Sequence, residues 1–335
     1  MSVSATNVDV TVVGAGVGGL VAARALKRAG LTVQVFEKSR GVGGRAATRR
    51  VRMGASETPV DHGAQYFTAR DARFREQVEA WLAEGDLRVW SAGFHTLKGR
   101  SLIPPEAGHP RYAFASGLST LGKQLAAELS VRRGARVRQL TPADGGGWRL
   151  TFEDGSHHLS PRVLLNLPAP QAREVCGPSL PPDAERALAA VRFAPCLAVI
   201  AGYPDHPPPA WRGVHVEDGG PLAWIAHDSS KRPRAPGTIL VLHATPAFST
   251  QYLETPDAAA PLMLRAAAPL GAALTQPAWT QVHRWRYARV VTPHPQPYLD
   301  GGNGLLFCGD WCGGDRLEAA YLSGLAAAER FLGSR

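Results

Sequence analysis

Gly14-Ala15-Gly16-Val17-Gly18-Gly19 sets glycines at the spacing G-x-G-x-x-G, and that spacing suits one task, holding a pyrophosphate. Gly14 permits a tight turn, Gly16 lets the backbone approach the phosphates, and Gly19 lets the next helix pack close to the preceding strand. The elements that must position these groups flank them. Val10 to Val13 is a short apolar run that reads as a buried parallel strand, and Leu20 to Ala29 reads as a helix stopped by Gly30. The start of that helix, with Val17 and Gly18, offers free N–H groups and a positive dipole end. Thr32 to Phe36 reads as the next strand. It ends at Glu37, followed by Lys38, where a carboxylate can accept hydrogen bonds from a ribose 2′-OH. A glycine-rich turn in an ordinary βαβ unit does not account for Glu37, so the segment reads as a dinucleotide site.

Arg40-Gly41-Val42-Gly43-Gly44-Arg45 follows at once. Gly43 and Gly44 let the chain pass close to the flavin end of a long ligand, and Arg45 can pair with a phosphate. At this spacing, behind a dinucleotide fold, the segment resembles the FAD-containing amine oxidase superfamily. A third segment agrees in order. Gly304 to Trp311 is an apolar strand ending in Gly309-Asp310, and a helix begins near Leu317, Glu318 and Ala320. In flavoproteins of this architecture the equivalent aspartate contacts the ribityl chain, and the helix start stabilises the reduced flavin. The resemblance implies non-covalent FAD and also assigns Gln65 and Val137 to the cofactor.

The implied fold is α/β: a doubly wound, Rossmann-like FAD-binding domain of the p-hydroxybenzoate hydroxylase and amine oxidase type. An α+β substrate domain with a mainly antiparallel sheet is inserted into it. The expected boundaries are 1–70, 112–167 and 288–335 for the FAD domain, and 71–111 and 168–287 for the substrate domain. Local patterns support this. Val51 to Thr58 reads as a hairpin, and Asp71 starts a helix with Phe74, Val78, Trp81 and Leu82 at helical spacing. Gly117 to Leu129 reads as a further helix. Ala135 to Leu140, Trp148 to Glu153, His157 to Leu159 and Val163 to Leu167 read as strands. Strands are also expected at Cys196–Gly202, Leu222–His227, Thr238–Ala244 and Gln281–Tyr287, with helical pieces between Ala247 and Leu274.

Composition bounds the alternatives. The chain has 335 residues, 44% of them hydrophobic and 19% charged, enough for two domains with a sizeable core. Net charge is +9, yet the arginines are scattered with no basic run interleaved with aromatics, which argues against nucleic acid. No stretch has the length of a transmembrane helix. The start MSVSATNVDV lacks the charged and apolar regions of a signal peptide, so cytoplasm is the expected compartment. The four cysteines, Cys176, Cys196, Cys308 and Cys312, form neither a CxxC pair nor zinc spacing, and no metal is expected. Nothing in the pattern speaks to oligomeric state.

The substrate half carries a narrower resemblance. Asp61-His62-Gly63-Ala64-Gln65-Tyr66-Phe67-Thr68, Ala194 to Ala198, Trp224 to Lys231 and His283 to Ala288 are similar to the renalase-like FAD oxidoreductases. Departures are His227, where arginine or a similar polar residue is expected, and Leu197, where tryptophan is common. The resemblance implies an oxidase of 2- and 6-dihydro isomers of NAD(P). Hydride would pass to flavin N5, and O2 would reoxidise the flavin to give H2O2 and NAD(P)+. Such chemistry needs no catalytic residue beyond the flavin, because the cofactor carries it; the protein must orient the ring. Candidate ring-binding residues are Gln65 and Tyr66, Trp224, His227 and Asp228, with Phe94 and His95 as further members. His283, Trp285 and Tyr287 alternate along one strand face, and Arg284 and Arg286 take the other. Two alternatives stay open: a flavin amine oxidase acting on a small amine, and a non-catalytic dinucleotide-binding sensor or scaffold. Amine oxidases place a lysine near N5. The lysines here in the substrate half are Lys98 and Lys231, and Lys231 is expected in an exposed turn.

Overall fold

A computed structural model describes Val8–Gly333; the N-terminal residues 1–7, part of the segment read for a signal peptide, lie outside the described residues. The chain divides into two compact units. The first takes in Met1–Gly44, Leu121–Phe193 and Val290–Arg335, and the second Arg45–Thr120 and Ala194–Arg289. The expected boundaries differ from this division at four places, the smallest being residues 288–289, which fall in the second unit. Residues 45–70 and 112–120 belong to the second unit, because the hairpin Thr48–Met53/Ser56–Asp61 packs Val51, Met53 and Val60 into that unit's core. Residues 168–193 belong to the first, because Ala169, Ala172, Val175 and Leu188 pack on its core.

The first unit is built on a six-stranded sheet in the order Leu299–Asp300, Leu305–Phe307, Val163–Leu165, Val10–Val13, Val33–Glu37, Ser130–Arg133. The three central pairings and the pairing of Val33–Glu37 with Ser130–Arg133 are parallel; Leu299–Asp300 alone runs antiparallel. Val10–Val13, Val163–Leu165 and Leu305–Phe307 are buried along their whole length, as strands covered on both faces require. Ser130–Arg133 is exposed and charged, an edge strand without the apolar alternation that would reveal it in the sequence. A second, antiparallel sheet of Val137–Pro142, Trp148–Phe152 and His157–Ser160 packs Leu140, Trp148 and Leu150 into the same core.

Two helices of this unit, Val17–Arg28 and Leu317–Leu332, cross at glycines. A Cβ added to Gly324 would collide with the carbonyl oxygen of Gly18, and one added to Gly18 would lie 2.8 Å from that of Ala320. All four cysteines are free, and burial pushes the thiols of Cys176, Cys196 and Cys308 up to about 12 and that of Cys312 well above its usual range.

The second unit holds a seven-stranded sheet in the order Trp279–Thr292, Arg192–Tyr203, Thr238–Ala244, Leu222–His227, Gly213–Val216, His95–Lys98, Ser101–Ile103. Alternation divides its residues between two cores. Leu197, Val199, Leu240 and Leu242 face the helices Pro246–Gln251 and Pro256–Ala266, whereas Ile200, Trp224, Ala226, Ile239 and Val241 face an aromatic layer of Trp90, Phe94 and Tyr66. Asp71 caps the helix Ala72–Ala83 by accepting from the Arg73 N–H, and Phe74, Val78 and Trp81 are its buried stripe. Among the described residues no helix is long and apolar enough to cross a membrane.

Gly324→Val should overpack the helix crossing and lower stability by about 1–3 kcal/mol, the usual cost of forcing carbon into a filled core. A denaturant midpoint equal to wild type would show that the helices separate without strain.

Candidate functional site

The first unit shapes the Gly14–Gly19 loop so that it could hold a phosphate. Gly14 takes φ +100° where the strand Val10–Val13 turns out of the sheet, a conformation that favours glycine. The helix beginning at Val17 has Gly16 as its N-cap, no side-chain cap hydrogen bond and no acidic residue in its first turn. Its leading N–H groups therefore have no intrahelical acceptor, and the dipole favours an anion. The second glycine segment lies against the first: Gly43 N–H donates to Ala15 O at 2.7 Å, and Gly43 and Gly44 both have positive φ.

Glu37 is buried at the end of its strand. Its Oε2 accepts from Ala15 N–H at 2.8 Å and its Oε1 from Ser39 N–H at 2.7 Å. A carboxylate has further lone pairs for ribose hydroxyls. Lys38 is exposed, with Nζ 3.4 Å from Gln171 Oε1. Val137 is buried at the start of its strand, two residues beyond Ala135, whose N–H donates to Glu37 O at 2.9 Å.

Asn166, which the sequence reading missed, joins this loop to the third motif. It follows the strand Val163–Leu165, the neighbour of both Val10–Val13 and Leu305–Phe307. Its Nδ2 donates to Cys308 O at 3.1 Å, and its Oδ1 stands 2.7 Å from where a Cβ on Gly16 would be. Beyond Cys308, Gly309 N–H donates to Ser323 Oγ at 3.0 Å, and Asp310 is buried next in the chain. The helix at Leu317, with Glu318 in its first turn and Ala320 buried, also lacks a side-chain cap. An uncapped helix start free of acidic residues, a cradle with no room for side chains and a buried strand-end carboxylate fit the ADP half of FAD.

The second unit carries a different chemistry. Asp61, Asp228, Lys231 and Arg232 form a buried four-charge cluster. Lys231 Nζ donates to Asp228 Oδ1 at 2.8 Å, Gln65 Oε1 at 3.0 Å and Asp61 Oδ2 at 3.2 Å; Arg232 Nη2 donates to Asp61 Oδ2 and Asp228 Oδ2, both at 3.2 Å. Asp61 Oδ1 also accepts from Thr48 Oγ1 and the Leu118 N–H, each at 2.7 Å. Burial pushes the Asp61 carboxyl up, but Lys231, Arg232 and these donors together hold it below its usual range. Lys231 is thus the reverse of the exposed lysine expected from its Ser-Ser-Lys-Arg-Pro surroundings: it is fully buried, with all three ammonium protons used. The short 3-10 turn Asp228–Lys231 explains why, since positions three and four beyond Asp228 come back over its carboxylate.

The other expected residues are spread over several places. Gln65 belongs to the charge cluster; its Nε2 donates to the backbone carbonyls of Asp61 and Gly63. Asp228 likewise has both carboxylate oxygens occupied. Tyr66, Phe94 and Trp224 join the aromatic layer, with Tyr66 ring centroids 4.9 Å from Phe94 and 5.8 Å from Trp224. His95 opens the strand His95–Lys98. His227 is separated from Trp224. Three residues along a strand reverse the face, and His227 lies against Trp211 instead, 6.3 Å between centroids.

His283, Trp285 and Tyr287 are half-buried along one face of Trp279–Thr292, and Arg284 and Arg286 on the other are exposed and both pair with Glu254 at 2.7 Å. His62 joins that half-buried face, its ring stacked on Trp285 at 5.4 Å and edge-on to His283 at 4.6 Å. Arg49 Nη2 lies 3.3 Å from His283 Nδ1, and Trp285 Nε1 donates to His62 O at 2.9 Å. Arg45 Nη1 donates to the backbone carbonyls of Tyr287 at 3.3 Å and Ala288 at 3.1 Å. Burial, with help from His283 and Arg49, drops the His62 pKa to about 3, so this aromatic face carries neutral imidazole at physiological pH.

Gly16→Val should lose flavin from the purified protein, because its branched side chain enters the space of Asn166 Oδ1; a full flavin load would refute the cradle. Lys231→Met should cost about 3–5 kcal/mol by leaving two buried carboxylates short of a cation, and adding Asp228→Asn should restore part of that in denaturant melts. Asp61 binds its proton less readily folded than unfolded. Its contribution is complete above about pH 4 and is lost as pH falls through the lowered folded value. Asp61→Asn should flatten acid unfolding across that window, followed by far-ultraviolet circular dichroism.

Comparison with known proteins places this geometry. The profile of an NAD(P)-binding Rossmann-like domain matches residues 12–83, and that of the flavin containing amine oxidoreductases matches residues 75–332. A putrescine oxidase triple mutant superposes with TM-score 0.73 at 15% identity, covering 98% of this chain and 99% of the other. Cyclohexylamine oxidase from Brevibacterium oxydans IH-35A gives 0.74 at 13%, covering 98% and 99%. A CLA-producing fatty acid isomerase from P. acnes gives 0.72 at 13%, covering 98% and 100%. At such identities the likeness shows the fold alone, and these neighbours include an isomerase as well as oxidases. The profile match extends over most of the chain, and with it the protein belongs to the flavin containing amine oxidoreductase family, as an FAD-dependent oxidoreductase.

Proposed function

We propose that the protein is an oxidase of dihydronicotinamide isomers, the 2- and 6-dihydro forms of NAD(P), yielding NAD(P)+ and H2O2. Bound FAD supplies the hydride acceptor and passes the electrons to O2. The protein's own part is to bind and orient the donor ring, since aromatisation of the nicotinamide drives hydride loss and no proton need be taken from carbon.

One observation carries this reading. In the second unit the residues around His62, His283 and Trp285 present neutral rings, while the nearby carboxylates of Asp61 and Asp228 are already engaged by Lys231 and Arg232. A flat, uncharged ring gains stacking area on such a face. An alkylammonium substrate gains little, because neither of these carboxylates is free to neutralise it.

The amine oxidase reading has a specific point in its favour, the fold shared with putrescine and cyclohexylamine oxidases. Lys231 supports it less than burial alone suggests. All three of its protons already have acceptors, so it has none left to hold a water beside the flavin.

The two readings separate in an anaerobic mixing experiment. The purified, flavin-loaded protein should bleach with 6-dihydro-NAD or 2-dihydro-NAD and remain oxidised with putrescine or cyclohexylamine, and admitting O2 should release one H2O2 for each donor consumed. Bleaching by the amines alone would replace this proposal with the second reading. No bleaching by either class would favour a non-catalytic dinucleotide-binding protein.

A further inference from the structure

Arg49 stands where the hairpin strand Thr48–Met53 calls for an apolar side chain. Along that strand Arg49, Val51 and Met53 share one face, and the exposed Arg50 and Arg52 share the other. Val51 and Met53 enter the core of the second unit, and the residue paired with Arg49 across the hairpin is the fully buried Val60. Arg49 itself is half-buried, so its guanidinium sits at the rim of that core with solvent still in reach. A charge drawn partly out of water gains from an opposite partner. The carboxylates of Asp61 and Asp228 are already held by Lys231 and Arg232, and Arg49 has no carboxylate partner among the described residues.

What Arg49 touches is neutral. Its Nη1 donates to Gln281 Oε1 at 3.1 Å, and its Nη2 lies 3.3 Å from His283 Nδ1. A guanidinium has donors only, so these contacts orient both partners. Gln281 turns its carbonyl oxygen to Arg49 and has its NH2 left over. His283 accepts through Nδ1. Burial and the Arg49 charge hold its pKa below the usual value, so the ring is neutral with its proton on Nε2. All three side chains are half-buried, and what each leaves for a further partner is N–H. One unmatched positive charge among such donors suits an anion with several oxygens and repels an ammonium.

The trio adjoins the neutral ring face. Gln281, His283 and Trp285 alternate along one face of the strand Trp279–Thr292. The His283 ring lies 4.4 Å from that of Trp285 and 4.6 Å from that of His62. We infer that Arg49, with Gln281 and His283, is a phosphate subsite, taking the 5′-phosphate that one ribose separates from the nicotinamide ring of the substrate. The assignment rests on the dihydronicotinamide reading above and adds that the substrate is a nucleotide rather than a free base or nucleoside.

The test titrates the flavin-loaded protein at neutral pH with nicotinamide mononucleotide and with nicotinamide riboside, which differ by the phosphate alone, following heat in a calorimeter. Wild type should bind the mononucleotide about tenfold more tightly, the worth of one charge-assisted hydrogen bond. That preference should shrink in high salt, because the trio is open to solvent. Arg49→Gln should lose the preference by weakening the mononucleotide alone, and Arg49→Lys, which keeps the charge but not the planar fork, should keep part of it. Equal binding of the two ligands by wild type, or binding of neither, overturns the subsite. So does a full preference in Arg49→Gln, which would leave Arg49 as a strut between the hairpin and the strand Trp279–Thr292. Should Arg49→Gln fail to fold, the wild-type ligand pair and its salt dependence decide alone. The reaction fails separately. Phosphate-selective binding without oxidation of any dihydronicotinamide isomer supports the subsite and overturns the proposed reaction; oxidation of nucleoside and nucleotide isomers with equal kcat/KM does the opposite.

Discussion

Two carboxylates and two cations buried together, Asp61 and Asp228 against Lys231 and Arg232, set the terms for the second unit. Each charge alone would be prohibitively expensive to remove from water, so all four must be in place at once. The requirement pins distant pieces of chain. Asp61 ends a hairpin strand and also binds the N–H of Leu118; Asp228 follows the central strand Leu222–His227; Arg232 reaches the carbonyl oxygens of Pro59 and Phe114. His62 and Gln65 follow Asp61 closely in the chain, so the cluster also helps fix where the stacked His62–Trp285 pair sits. Lys231 further covers the Trp90 ring, 4.9 Å from its centroid, tying charge to the aromatic layer.

In the first unit the governing limit is steric. Gly14, Gly16, Gly18 and Gly19 leave space that Asn166, Ala320 and the helix Leu317–Leu332 partly occupy. All four make room for Asn166; Gly18 also admits the Ala320 carbonyl of the crossing helix, and Gly19 the Gly14 carbonyl. The phosphate cradle and the helix packing are thus a single arrangement.

What was legible in the sequence followed from local constraints. Glycine spacing, a strand-end acid and apolar runs report on their immediate neighbours, so the cradle, Glu37 and the central strands could be read directly. Asn166 could not, because its role depends on bringing the turn after Val10–Val13 beside Cys308, and those segments are nearly 300 residues apart in the sequence. Lys231 was misread because serines, arginine and proline around it suggest a solvated turn. The spacing from Asp228 to Lys231 and Arg232 was the available clue, yet without the depth of that turn it fits a surface pair equally well. His227 shows a subtler error: strand alternation alone was enough to separate it from Trp224. The shared domain boundary was set wrongly because the hairpin after Gly44 follows the cofactor motif in the chain while packing into the other core.

The cysteines bear on durability. An enzyme that returns electrons to O2 makes an oxidant within its own fold, and thiolates are what peroxide attacks. Here burial holds the thiols of Cys176, Cys196 and Cys308 protonated up to about 12, and that of Cys312 higher than usual. Cys308 lies in the strand-end segment beside Asn166 and can remain sulfur without becoming a sensor. Under the proposed oxidase reading, the fold would carry its cysteines as apolar filling out of reach of the peroxide it releases.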